Sequence, residues 1–154
     1  MSSLGVNEFF SILLSNEDKE ASVNATIPKE FQDLLAKKAF AHLGTVMPDG
    51  SPHVTPVWFD FDGTYLRVNS AKGRVKDKNM RRDGRVALAI MDPENPYRYL
   101  AVRGRVEEVA EVGADAHIDS LTKKYLGQDR YPYRKAGEVR VIYRIRPERV
   151  STAQ

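Results

Sequence analysis

The chain has 154 residues, with 24 Lys+Arg against 21 Asp+Glu, 42% hydrophobic residues and no cysteine. That length fits one domain able to bury an ordinary core. The missing cysteines exclude thiol nucleophiles, thiolate metal sites and a disulfide framework, in keeping with a reducing cytoplasm.

Residues 1 to 25 read as an N-terminal arm. Val6, Phe9, Phe10, Leu13 and Leu14 recur at helical spacing before a polar tract. The apolar patch Phe9 to Leu14 follows no basic segment and is far shorter than the ~20 residues of a membrane span. A soluble cytoplasmic protein with no membrane partner is expected. The arm either packs on a neighbouring subunit or docks on its own domain.

Residues 26–154 carry the pattern of the main domain. Thr26 is placed to cap a helix opened by Pro28, with Phe31, Leu34, Leu35 and Phe40 as its buried stripe. Strands are then expected over Phe40 to Met47 and His53 to Phe61, separated by the turn Pro48-Asp49-Gly50, and over Tyr65 to Asn69 after Asp62-Gly63. Val86 to Met91 is apolar on both parities and predicts a strand buried on both faces. Tyr99 to Val109 makes a fifth strand, residues 114 to 126 a helix with His117, Ile118 and Leu121 on one face, and Val139 to Arg146 a sixth. In that sixth strand Val139, Val141, Tyr143 and Ile145 alternate with Arg140, Arg144 and Arg146. Hairpin-spaced strands with two helices between them predict a mainly β protein whose six-stranded antiparallel sheet closes into a small barrel.

Between the third and fourth strands lies SAKGRVKDKNMRRDGRV, residues 70–86, with seven Lys/Arg and two Asp. The rest of the chain keeps 17 basic and 19 acidic residues, so the excess positive charge is local. Gly73 precedes Arg74 and Lys76 where a helix is expected to begin, so backbone N–H groups, the helix dipole and two cations can converge on a phosphate, with Ser70 adding a hydroxyl. Arg81, Arg82 and Arg85 read as a solvated helix face. The stretch has no aromatic residue for base stacking, so no nucleic acid partner is expected.

In HVTPVWFDF, Pro56 cannot donate to a strand ladder and marks an edge or a bulge, and Val54, Pro56 and Trp58 share one side that can wall a planar ring. There is no GxSxG, Walker A or GxGxxG sequence, and His42 and His53 lack a carboxylate at ligand spacing, so no metal site is expected. With no acid or base in evidence, no catalytic residue is assigned and the chemistry must come from a bound group.

The run from GTVMPDGSPHVTPVWF through KGRVKDKNMRRDGRVAL to RGRVEEV resembles the pyridoxamine 5′-phosphate oxidase-like split β-barrel proteins, in particular their small flavin and deazaflavin oxidoreductases, over residues 27 to 150. The resemblance implies an FMN-binding type of split barrel forming a homodimer with two cofactor sites at the subunit interface. It implies an F420-dependent oxidoreductase that passes a hydride from reduced deazaflavin to a conjugated or heteroaromatic small molecule. The alternatives are FMN as cofactor, or a non-catalytic flavin or haem binder. By position, Arg74 and Lys76 match cofactor-phosphate ligands with Ser70 and Asn79 beside them. His53, Val54, Thr55, Pro56, Val57 and Trp58 match the strand along the ring. Tyr97 and Tyr99 match aromatics reaching in from the partner, and Tyr97 stands where a Trp is common. Arg140 matches a position near the cofactor tail, for which Lys72 and Lys78 are further candidate cations. The first 25 residues have no counterpart, and the chain stops at Gln154 without the substrate-binding tail of a true pyridoxamine phosphate oxidase, so vitamin B6 oxidation is not expected.

Overall fold

A computed structural model describes residues 25–154. The expected arm lies outside the described residues except for Ala25, whose N–H donates to the Pro147 carbonyl at 3.1 Å. Seven antiparallel strands form one sheet: β1 (Ala41–Val46), β2 (Pro52–Val57), β3 (Phe59–Phe61), β4 (Leu66–Ala71), β5 (Arg85–Met91), β6 (Tyr99–Ala110) and β7 (Arg140–Ala153), in the order β2-β1-β5-β6-β7-β4-β3. A 3₁₀ turn (Lys29–Phe31) leads into α1 (Asp33–Ala36). Helix α2 (Val75–Arg82) follows β4, and α3 (Ala114–Leu126) links β6 to β7.

The seventh strand arises because His53 to Phe61 is not continuous. β2 pairs with β1 at one edge of the sheet and β3 pairs with β4 at the other, with Trp58 alone between them. One residue therefore ties the two edges together, which forces the sheet to curl into a half-barrel. Pro52 and Pro56 fall on β2, an edge strand where a missing ladder N–H is tolerated. The long β7 pairs with both β6 and β4, and register shifts at Arg103/Gly104 and Val106/Glu108 bend the β6–β7 ribbon.

Inside the curl, Leu43, Phe59, Leu66, Val68, Leu88, Ile90, Leu100, Tyr143 and Ile145 form the core with Phe31 and Leu34 from the 3₁₀ turn and α1. The first helix is shorter than expected: Pro28 itself occupies the cap position, no side chain caps it, and Phe40 is half exposed rather than part of its buried stripe. β5 corrects a second expectation. Its residues alternate, with Val86, Leu88 and Ile90 inward and Ala87, Ala89 and Met91 outward and uncovered in the single chain. In β7 the reverse holds, because Arg140 and Ile142, on the face expected to be polar, are buried. Ile142 lies under Gly113 at the start of α3, and this helix covers the outer face of β4 and β7.

α3 is bounded by Gly113 and Gly127, whose φ of +82° and +71° suit glycine. It is fastened by Tyr125, whose hydroxyl donates to the Ala39 carbonyl at 2.6 Å and accepts the Phe59 N–H at 3.3 Å. Ile118, Leu121 and Tyr125 form a second small core with Trp58 and Tyr131. No helix among the described residues is long and apolar enough to cross a membrane.

Candidate anion and cofactor site

Two neighbouring cations, Arg74 and Lys76, meet a third that is distant in sequence, Arg140, beside this second core. Arg74 occupies the N-cap of α2, Lys76 sits in its first turn, and Arg140 opens β7. They line a cavity of about 220 Å³ with Phe40, Pro56, Val57, Trp58, Asn69 and Tyr131. Gly73, at φ +92°, makes the turn that aims the helix start at this cavity. Its own N–H is not free, because Asp77 Oδ2 accepts it at 2.8 Å. Asp77 also accepts from Arg81 Nε at 2.9 Å and from the Tyr143 hydroxyl at 2.5 Å. Burial raises the Asp77 pKa, but these donors outweigh it and the net shift is downward. Asp77 therefore clamps the helix start as a fixed anion, while the Arg74 and Lys76 side chains line the cavity.

One carboxylate faces the three cations. Glu138 accepts from Arg140 at 2.7 Å and pairs with Arg74 at 3.5 Å. No carboxylate pairs with Lys76 among the described residues, and its pKa is lowered first by burial and then by the Arg74 and Arg140 charges. Burial, two neighbouring cations and no paired carboxylate all disfavour the charged form of Lys76. Arg140 is held by Asn69 Oδ1, which accepts from its Nε at 2.9 Å, and its guanidinium lies 5.2 Å from the Tyr131 ring centre.

The cavity also has an aromatic wall. Trp58 stacks on Tyr125 with centroids 5.1 Å apart and planes within 4°, and meets Tyr131 edge-on at 6.3 Å, while Tyr131 in turn meets Tyr133 at 5.6 Å. The loop carrying Tyr131 is held to α3 because Asp119 accepts the Tyr131 N–H at 2.8 Å and Arg134 at 2.6 Å.

The sequence-derived residues divide into groups. Pro56, Val57, Trp58, Arg74, Lys76 and Arg140 share this cavity. Val54 instead lines a groove of about 400 Å³ on the outer sheet face with His42, Gly44, Ala87, Ala89 and Ala101. His53 and Thr55 stand opposite the buried Thr45 and Leu43 and so point inward, and their Nδ1 and Oγ1 are buried without a hydrogen-bond partner. Ser70 Oγ is likewise buried and unpartnered, on the inward row with Leu66 and Val68. Asn79 donates to Thr45 Oγ1 and Met47 Sδ and accepts from Arg82, which ties α2 to β1. Lys72 pairs with Glu111 at 2.8 Å on the surface. Tyr97 and Tyr99 are exposed, at 82% and 40%, and do not line the cavity. Arg81, Arg82 and Arg85 are engaged by Asp77, by Asn79 with the Val46 carbonyl, and by Asp83.

Phe40, Asn69, Tyr131 and Tyr133 also line the cavity, and none of them is among the site residues expected from the sequence. The Tyr131-Pro132-Tyr133 triplet in an otherwise polar loop was the available signal. Among the described residues no group of three His, Asp or Glu side chains is placed to hold a metal ion.

A curled antiparallel half-barrel with a cationic cavity at the β2–β3 corner defines a split-barrel protein. The family described as Pyridoxamine 5′-phosphate oxidase matches residues 27–154, and the chain belongs to it. The chain is 33% identical over 134 residues to an F420H(2)-dependent biliverdin reductase of Mycobacterium tuberculosis (strain CDC 1551 / Oshkosh), covering 84% of this chain and 92% of that protein. A solved structure of an F420 reductase superposes with a TM-score of 0.72 at 36% identity, over 81% of this chain and 98% of the other. A conserved hypothetical protein of Mycobacterium tuberculosis, at 23% identity and a TM-score of 0.64 over 86% of this chain and 87% of its own, shares the fold.

Proposed function

We propose that the protein is an oxidoreductase that binds coenzyme F420 and works as a homodimer on a conjugated or heteroaromatic small molecule. The observation that carries this reading is the convergence of Arg74, Lys76 and Arg140, with one carboxylate between them, on a cavity walled by Trp58 and Tyr131. Such a site suits a phosphate attached to a planar ring: charge-assisted hydrogen bonds of about 1.5 to 3 kcal/mol each hold the anion, and the aromatic wall takes the ring. The relatives named for F420 favour the deazaflavin over FMN. When bound, the cofactor supplies the hydride chemistry. The chain's own part is to anchor the phosphate through Arg74, Lys76 and Arg140, to orient the ring along Pro56 to Trp58, and to keep water from the ring's buried face.

Two features support the homodimer. At about 220 Å³ the cavity is smaller than the roughly 300 to 1,000 Å³ of whole-ligand pockets, so one chain supplies part of a site. The outward row Gly44, Ala87, Ala89 and Ala101 leaves the middle of the sheet bare, and small side chains there permit close approach of a second copy. The exposed Tyr97 and Tyr99 are available to such a copy.

The test is a pair of fluorescence titrations, with F420 and with FMN, at one ionic strength. F420 is expected to bind at micromolar concentrations. Arg74→Ala combined with Lys76→Ala is expected to weaken binding about a hundredfold or more while leaving the fold intact. Tight binding of FMN alone would move the protein to the flavin alternative. Failure of both at tens of micromolar would overturn the reading.

A further inference from the structure

A hydrogen-bonded chain runs from the far side of α3 through the protein to the cation cluster. Asp60 on β3 takes Arg67 in a two-bond clasp, at 2.8 and 2.7 Å, and its Oδ1 lies 3.2 Å from His117 Nε2. His117 Nδ1 lies 3.2 Å from Asn69 Nδ2, whose other hydrogen goes to the Ala114 carbonyl at 2.9 Å. Asn69 Oδ1 accepts from Arg140 Nε, and Arg140 reaches Glu138. His117, Asn69 and Arg140 are 5%, 9% and 6% exposed, so water does not substitute for these partners.

The donors and acceptors fix one proton arrangement. Arg140 Nε can only donate, so the Asn69 oxygen must face it and the Asn69 NH₂ must face His117. His117 Nδ1 is then an acceptor, and its proton sits on Nε2 and is donated to Asp60. We infer that His117 is a positioning residue for the anion site: its neutral Nε2–H form holds the Asn69 amide in the orientation that presents Arg140 to the cavity. Protonating Nδ1 sets N–H against NH₂. Relief requires the amide to turn over, which takes the acceptor from Arg140 Nε and the donor from the Ala114 carbonyl. The charged groups around His117 are Asp60 and Arg67 from β3 and β4 and Arg140 from β7 beyond Asn69, while Lys124 on its own helix acts on Asp60. This inference rests on the anion-binding reading of the Arg74, Lys76 and Arg140 cavity.

The sign of the pH effect separates positioning from simple charge. A proton added to His117 acting only through its field would strengthen anion binding, whereas loss of the Arg140 anchor weakens it. The probe is inorganic sulfate, which stays a dianion through the histidine titration range. Its affinity is expected to fall about tenfold as His117 takes up its proton on acidification, and to be flat over the same range in His117→Gln. A flat or rising wild-type profile would overturn the inference. ¹⁵N spectra of the unliganded wild-type protein give a second readout that needs no variant to fold. The ring is expected to carry its neutral-form proton on Nε2, and the Asn69 amide and Arg140 Nε–H signals are expected to shift with the His117 midpoint. A proton on Nδ1, or Asn69 and Arg140 signals indifferent to that midpoint, would overturn it. Sulfate bound in this manner by a protein that binds neither F420 nor FMN would sink the proposed function and leave the coupling standing.

Discussion

Asp60 stands at the junction of β3, β4 and α3, and its replacement by Asn measures what that junction contributes. Burial raises the pKa of its carboxyl, but hydrogen bonds from His117 and Arg67 outweigh burial and bring it from 3.8 to about 2. The side chain is 18% exposed, so little of this is lost to solvent screening. A carboxyl with a depressed folded-state pKa stabilises the fold above its unfolded value, and the stabilisation disappears as pH falls through the folded value. The window is therefore from about pH 4 down to about pH 2, and each tenfold change in proton affinity is worth about 1.4 kcal/mol. Asp60 thus contributes about 2 kcal/mol at neutral pH, of which about half is gone by about pH 3. Urea unfolding of wild type and Asp60→Asn across this range isolates the effect, since other carboxylates such as Asp33 and Asp83 cancel in the difference. At neutral pH the variant midpoint is expected to be lower by about 1 M, and the gap is expected to shrink steadily on acidification. A gap that stays constant or widens toward about pH 3 would refute the assignment of the shift to these partners.

Three further predictions rest on other parts of the molecule. Glu138→Gln removes the carboxylate that Arg74 and Arg140 share, so affinity for sulfate or cofactor should rise several-fold, as read by titration; a decrease would mean that Glu138 positions the arginines more than it competes for them. A β-carbon at Gly104 would overlap the Arg146 carbonyl oxygen where β6 shifts register against β7, so Gly104→Ala should lower stability by about 3 kcal/mol in urea unfolding. Ala89→Glu places a charge in the bare middle of the outer sheet face and should convert the proposed dimer into a folded monomer by light scattering, with unchanged circular dichroism; an unchanged mass would place the interface elsewhere.

What the sequence determined by itself was local. The strand over Tyr65 to Asn69, the helix over residues 114 to 126 with Ile118 and Leu121 on one face, the edge or bulge marked by Pro56 and the charge concentrated in residues 70–86 all follow from neighbours in the chain, and the fold class follows from them. The grouping of Arg74 and Lys76 was legible for the same reason, because one helix start carries both. Tertiary structure decided the rest. Trp58 splits one apolar run into two strands at opposite sheet edges, a choice made by closure of the barrel and not by propensity. Arg140 reads as a surface residue of an alternating strand, yet it is buried because α3 covers that face and Asn69 and Glu138 satisfy its guanidinium. Ala87 and Ala89 read as core, yet they face outward because β5 has one side in the barrel and one side bare. Pairing of distant strands sets which face of each is covered, and that pairing brings three cations and an aromatic wall to one cavity, with the buried His117 behind it through Asn69.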